Sequence, residues 1–179
     1  MPPLSPAPPD EDIPATPAQQ TLWFLTHLGE RFRAAGHNGM VLRLLGELRA
    51  DALREALQAV VANHAALRAG FHVRGSSRLV MRVEDTVRLP WTERDLAAMD
   101  TAPLVAALHD LIRDEVSRAY DHAAPPLMRA CLVRESATSH VLVIGVHHLV
   151  ADGISRDIIV EETLARYAAA MRSAAPLPA

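Results

Sequence analysis

"SHVLVIGVHHLVADGIS", residues 139–155, holds the longest uninterrupted apolar run of the chain, Val141–Val146, and then breaks into two adjacent histidines and an Asp-Gly pair. Six apolar residues are far too few to cross a bilayer and read instead as a strand of the core. Side chains alternate faces along a strand. Val146, Ile144 and Leu142 therefore share a face with His148, and His147 shares the opposite face with Gly145 and Val143. Gly153 allows a tight turn, and from Ile154 onward a helical period sets in through Val160, Leu164, Tyr167 and Met171, ending near Met171.

Working outward, "PLMRACLVRE" forms a second apolar strand that reaches "SHVLVIGVHH" through a polar turn near Ala137. Leu104, Ala107, Leu108, Leu111, Ile112 and Val116 keep the helical period in a long helix that opens near Pro103 and reaches about Tyr120. "LRAGFHV" and "RLVMRVE" flank Gly75-Ser76-Ser77 as an antiparallel hairpin. Asp51 opens a helix with Leu53, Ala56, Leu57, Val60 and Val61 in one stripe, and "MVLRLL" (40–45) is a strand before it. In "TPAQQTLWFL", Thr16 and Gln19 form a capping box with Pro17 at the first helical position, which predicts a helix from there to about Ala35. The segment around Pro90 reads as a loop. Residues 1–15, rich in proline and acid, read as a solvated linker, and "SAAPLPA" at 173–179 as another connector. Strands and helices are interspersed without an internal repeat or a Gly-rich phosphate loop. The fold class is α/β, an α+β sandwich with a mixed sheet packed against helices.

The 179 residues suit one domain with a real core or half of a larger one. Half of them are apolar and only 4% aromatic, so Leu, Val, Ile and Ala must fill the core. The net charge is −3, and no basic stripe is interleaved with stacking aromatics, which argues against nucleic acid as a partner. Cys131 is the only cysteine, which excludes an intrachain disulfide and a thiolate zinc site. "MPPLSPAPPDEDIP" has neither the basic nor the apolar region of a signal peptide, so the expectation is a soluble, cytoplasmic protein without membrane contact.

The chemistry concentrates after Val146. His147, His148 and Asp152 superficially match a two-histidine, one-carboxylate metal site, but neighbouring strand residues diverge and no third ligand follows; no metal is expected. Two readings stay open on the residues alone. One is a core histidine satisfied by backbone, followed by an Asp-Gly turn. The other is catalytic: an imidazole desolvated at the exit of a buried strand stays a neutral base, and backbone N–H groups at the start of a helix can stabilise a developing oxyanion in acyl transfer. Blander roles suit the rest. Leu22 and Trp23 anchor the first helix, His64 is a helix-end residue, and Ser155 caps the last helix. Cys131 is a small buried hydrophobe, and Arg156, Asp157, Glu161, Glu162 and Arg166 form the solvated face of the last helix.

His147-His148-Leu149-Val150-Ala151-Asp152-Gly153 resembles the HHxxxDG signature of nonribosomal peptide synthetase condensation domains and their chloramphenicol acetyltransferase-like relatives. "TPAQQTLWFL" (16–25) is similar to the condensation domains' first motif, S/T-x-A-Q-x-x-L-W, and "NHAALRAGF" (63–71) to their second, RHExLRTxF, in the family's order. The resemblance implies a chloramphenicol acetyltransferase-like lobe over 16–172, the N-terminal one of two, with the connector to a C-terminal lobe starting at 173. It implies amide bond formation between donor and acceptor held as thioesters on the phosphopantetheine arms of partner carrier proteins, with no cofactor bound by the lobe itself. His148 matches the histidine that abuts the reacting amine. His147 matches the structural one, Asp152 the loop-holding aspartate, and Gly153 the glycine of the tunnel wall. The motif's first arginine, the aspartate's usual ion-pair partner, is replaced by Asn63, which leaves Arg68 as the candidate to neutralise Asp152. The alternatives are a freestanding acyltransferase that completes its site at a subunit interface and a non-catalytic module that docks a carrier or other partner. A face left open by an absent second lobe would favour self-association.

Overall fold

A computed structural model describes residues 12–29, 36–75 and 78–173. Its strands are β1 (Ile13–Pro14), β2 (His37–Leu45), β3 (Ala69–Arg74), β4 (Arg78–Val83), β5 (Trp91–Asp95), β6 (Met128–Arg134) and β7 (Ser139–His147). Its helices are α1 (Pro17–His27), α2 (Ala50–Asn63), α3 (Thr101–Ser117) and α4 (Gly153–Ser173). None of the described helices is long and apolar enough to cross a membrane.

The run at 141–146 lies in the four-stranded sheet β2-β7-β6-β5, with β7 antiparallel to both neighbours. Pleating divides it between two helical layers. Leu142, Ile144 and Val146 join Leu53, Leu57, Val60 and Val61 of α2 in the larger core, while Val141 and Val143 join Cys131, Val133 and Leu108 of α3 in a smaller one. Coverage on both faces is why β7 is uniformly apolar where a half-exposed strand would alternate. β1, β4 and β3 form a second, antiparallel sheet, with β3 and β4 as the expected hairpin.

α1 begins as expected: Thr16 Oγ1 accepts from Gln19 N–H (3.3 Å) and Gln19 Oε1 from Thr16 N–H (2.9 Å). It stops at His27 rather than near Ala35, with Leu28 as its cap and Gly29 at φ 144°, a conformation that favours glycine. Residues 30–35 lie outside the described residues. α2 buries its whole expected stripe. On α4 the buried residues are Ile159 and Thr163; Val160 and Tyr167 of the expected stripe pack half-buried against the core, while Leu164 stays 39% exposed.

Two further expectations change. The segment after Pro90 is strand β5, parallel to β6. Its sequence, WTERD, lacks apolar alternation because an edge strand is kept polar against further pairing. The linker over 1–15 is ordered at its end: Ile13 and Pro14 pair with β4, Ala15 is buried, and Asp12 bridges Arg74 (2.9 Å) and Arg82 (3.0 Å). Residues 1–11 lie outside the described part, as do 174–179 of the expected connector; Ser173 still belongs to α4.

Candidate functional site

β7 ends at His147, and the chain turns at His148-Leu149-Val150 before α4. Main-chain bonds fix the turn: Val150 N–H donates to His147 O (3.1 Å), His147 N–H to Leu127 O (2.8 Å) and His148 N–H to Gly36 O (2.7 Å). Leu149, Val150 and Ala151 tuck their side chains into the core. With Leu149 and Val150 facing inward, His148 is left on the outside. The structure thus separates the two histidines: His147 is fully buried and His148 exposed.

This corrects the expectation of a desolvated His148, because the strand, and with it the alternation of faces, has ended one residue earlier. The desolvated imidazole is His147. Its Nδ1 accepts from Leu149 N–H (3.2 Å), and its Nε2 lies 3.2 Å from His122 Nε2. The rings of His37 and Tyr120 meet it edge-on, each at 5.7 Å between centroids. Burial, reinforced by the charges His122 and His37 would carry, pushes its pKa down to about 3. The same cause takes His122 to about 4 and raises the Tyr120 hydroxyl to about 12. Arg129, itself buried, lies 3.9 Å over the Tyr120 ring and donates to the carbonyls of Glu115, Arg118 and Ala119 at the end of α3.

Asp152 is exposed and caps α4: its Oδ1 accepts from Ser155 N–H (2.8 Å) and Ser155 Oγ (2.7 Å). The bond from the Ser155 hydroxyl is the chief reason its pKa is lowered. Ser155 is therefore the third residue of the helix rather than its cap. Arg68 does not replace the missing arginine. It donates to the carbonyls of Ala62, Glu84 and Asp85, and among the described residues Asp152 has no ion-pair partner. An exposed carboxylate that already accepts two hydrogen bonds needs none. Asn63 sits exposed at the end of α2, and its neighbour His64 pairs with Glu162 (3.0 Å). Gly153 opens α4 without a positive φ, and an added Cβ there would meet open space.

Three contributors were not read from the sequence. Gln19, seen only as part of the capping box, also donates from Nε2 to Leu149 O (3.0 Å), so the first motif holds the turn of the third. Gly36 lies so near the buried ring that a Cβ would come within 2.3 Å of His147 Nε2. His122 carries no local signal, because its contact with His147 is made across 25 residues. Trp23 packs partly against the core, as expected, and stacks on His27 at 3.9 Å.

The Condensation domain family matches residues 10–179. Bacitracin synthase 1 of Bacillus licheniformis is 33% identical over 178 residues, which cover 98% of this chain and 3% of that protein. The starter condensation domain of rhizomide synthetase RzmA superposes with a TM-score of 0.82 at 19% identity, over 95% of this chain and 42% of the solved one. The X-domain solved in complex with OxyB, from teicoplanin biosynthesis, gives 0.80 at 26% identity, over 98% and 36%. The chain therefore spans less than half of the solved chains it resembles and a few per cent of the synthetase. With the three motifs meeting on one fold of chloramphenicol acetyltransferase-like architecture, the chain belongs to the condensation domain family.

Proposed function

We propose that the chain acts as the N-terminal lobe of a condensation domain, forming an amide bond between a carrier-bound acyl or aminoacyl thioester and a carrier-bound amine. The observation that carries this is the turn after β7, which buries one imidazole of the HHxxxDG motif and leaves the other, His148, free to meet substrate. In this reading His148 lies against the attacking amine, orients its lone pair and receives a proton as nitrogen bonds to the thioester carbonyl. The C–S bond breaks, and the proton ends on the departing phosphopantetheine thiol. His147 and Asp152 hold the turn from its two sides, and Gly153 forms part of the wall beside them.

A second lobe completes the tunnel. Ile154 and Ile158, on the first turns of α4 beside the motif, are 73% and 41% exposed, as expected of a surface covered by a partner wall. The isolated lobe is accordingly inactive, and this uncovered surface favours self-association.

His148→Ala in the full-length parent synthetase tests the reading: product falls about 100-fold or more, measured by chromatography with mass detection. Unchanged turnover overturns the role of His148. A second reading is a docking module, favoured by Asn63 in place of the motif arginine and by the likeness to the X-domain seen in complex with OxyB. It predicts carrier or partner binding with no product from the intact synthetase.

A further inference from the structure

We infer that His122 is a positioning residue for the motif turn: its ring nitrogen fixes the tautomer and the seat of His147, and thereby the backbone that presents His148. The inference rests on the reading that His148 faces substrate. It starts from hydrogen-bond accounting in a buried imidazole. A neutral histidine has one ring N–H and one lone pair, and both need partners when no water reaches the ring. His147 is 0% exposed, and its Nδ1 accepts the Leu149 N–H at 3.2 Å. Its proton therefore sits on Nε2, and what faces that proton is His122 Nε2 at 3.2 Å. His122 must offer the lone pair there and carry its own proton on Nδ1. Burial keeps both rings neutral, as this pairing requires.

Without an acceptor at residue 122, the Nε2–H of His147 is a buried orphan. Moving the proton to Nδ1 relieves it but sets two N–H groups against each other at Leu149, inside the turn. The tautomer of His147 and the seating of Leu149 are thus one choice, and His122 makes it. The place of His122 is itself specified by β3, the strand that carries the end of the second motif: Phe71 N–H donates to His122 O at 2.7 Å. Asp121 closes the loop beside it, accepting from Ala123 N–H through Oδ1 (3.0 Å) and from Ala124 N–H through its carbonyl (3.1 Å). The second motif so reaches the third through His122, as the first does through Gln19. The same imidazoles do not make a metal site. His147 has no lone pair left for a metal, and no three donors converge among the described residues.

Nitrogen-15 NMR of histidine in the 179-residue chain reads the tautomer directly. The expected wild-type signal at His147 is a single Nε2–H form. His122→Gln, whose amide oxygen can accept in place of Nε2, preserves it, and the apolar His122→Leu loses it. In the full-length synthetase, His122→Leu lowers product formation about tenfold and His122→Gln restores it to within about threefold of wild type. An Nδ1–H tautomer at His147 in the wild-type chain overturns the inference even if the leucine variant does not fold. So does an Nε2–H tautomer that survives His122→Leu. A lost tautomer with unchanged turnover, in a synthetase that His148→Ala does inactivate, overturns the link to His148. Failure of His148→Ala to lower turnover overturns the functional reading and leaves the tautomer result standing.

Discussion

His147 and His148 are the same side chain joined by one peptide bond, yet one lies in a sealed aromatic nest and the other meets solvent. His147 has a hydrogen-bond partner at each ring nitrogen and an edge-on ring on either side. Among the described residues, His148 is tied only through its backbone, to Gly36 O. The pair shows that a doubled residue can be split by a turn that begins between its members: the first is spent on stability, and the second is left exposed, as the proposed function requires.

The sharpest way to break that division is to exchange the expected phenotypes. His148→Ala costs activity and leaves the melting temperature of the lobe nearly unchanged, because an exposed side chain is removed. His147→Ala does the reverse first: it leaves Leu149 N–H and His122 without partners and opens a cavity, destabilising the fold by about 3 kcal/mol in urea titration. A His147→Ala lobe as stable as wild type would erase the distinction.

Acid probes the same contrast. His147 and His122 have folded pKa values of about 3 and about 4, below the ordinary value of 6.5. Well above pH ~6.5 both are neutral in the folded and the unfolded chain, so they add no pH dependence there. As pH falls toward 4 the unfolded chain binds protons the folded one refuses, and stability drops, by on the order of 2 kcal/mol for each histidine between pH 6.5 and 4.5. Urea midpoints across that range check it, and the slope is shallower in His122→Gln. Gly36→Ala pushes a methyl against the His147 ring, which has no room to retreat, at a cost of about 1.5 kcal/mol by the same titration. On the exposed side, Asp152→Ala removes only the cap of α4 and lowers the melting temperature by roughly 3 °C.

How much of this was legible in the sequence depended on whether the signal was local. The α2 stripe, the capping box at Thr16 and the β3–β4 hairpin announce themselves within a dozen residues, and all three formed. β5 was missed because an edge strand needs no apolar alternation, and β1 because two residues show no period at all. The HHxxxDG pattern located the turn, but strand alternation was the wrong ground for dividing the two histidines, since β7 stops at His147. The Arg68–Asp152 pairing failed because it assumed a buried carboxylate, and burial of a loop residue is decided by packing that its neighbours in sequence do not reveal. His122 was invisible for the same reason: its meaning comes from a ring that lies 25 residues away along the chain.

The start of α1 shows one more constraint. A capping box accepts glutamate or glutamine at its third helical position, and for the helix alone the two are interchangeable. Gln19 is not free in that way. Its oxygen serves Thr16 N–H while its nitrogen serves Leu149 O, and glutamate, with two acceptor oxygens, would set a negative charge against that carbonyl. A substitution that any survey of helix starts would pass as harmless is thus barred here by a loop 130 residues downstream, which makes the amide at position 19 a property of the motif turn rather than of the helix it begins.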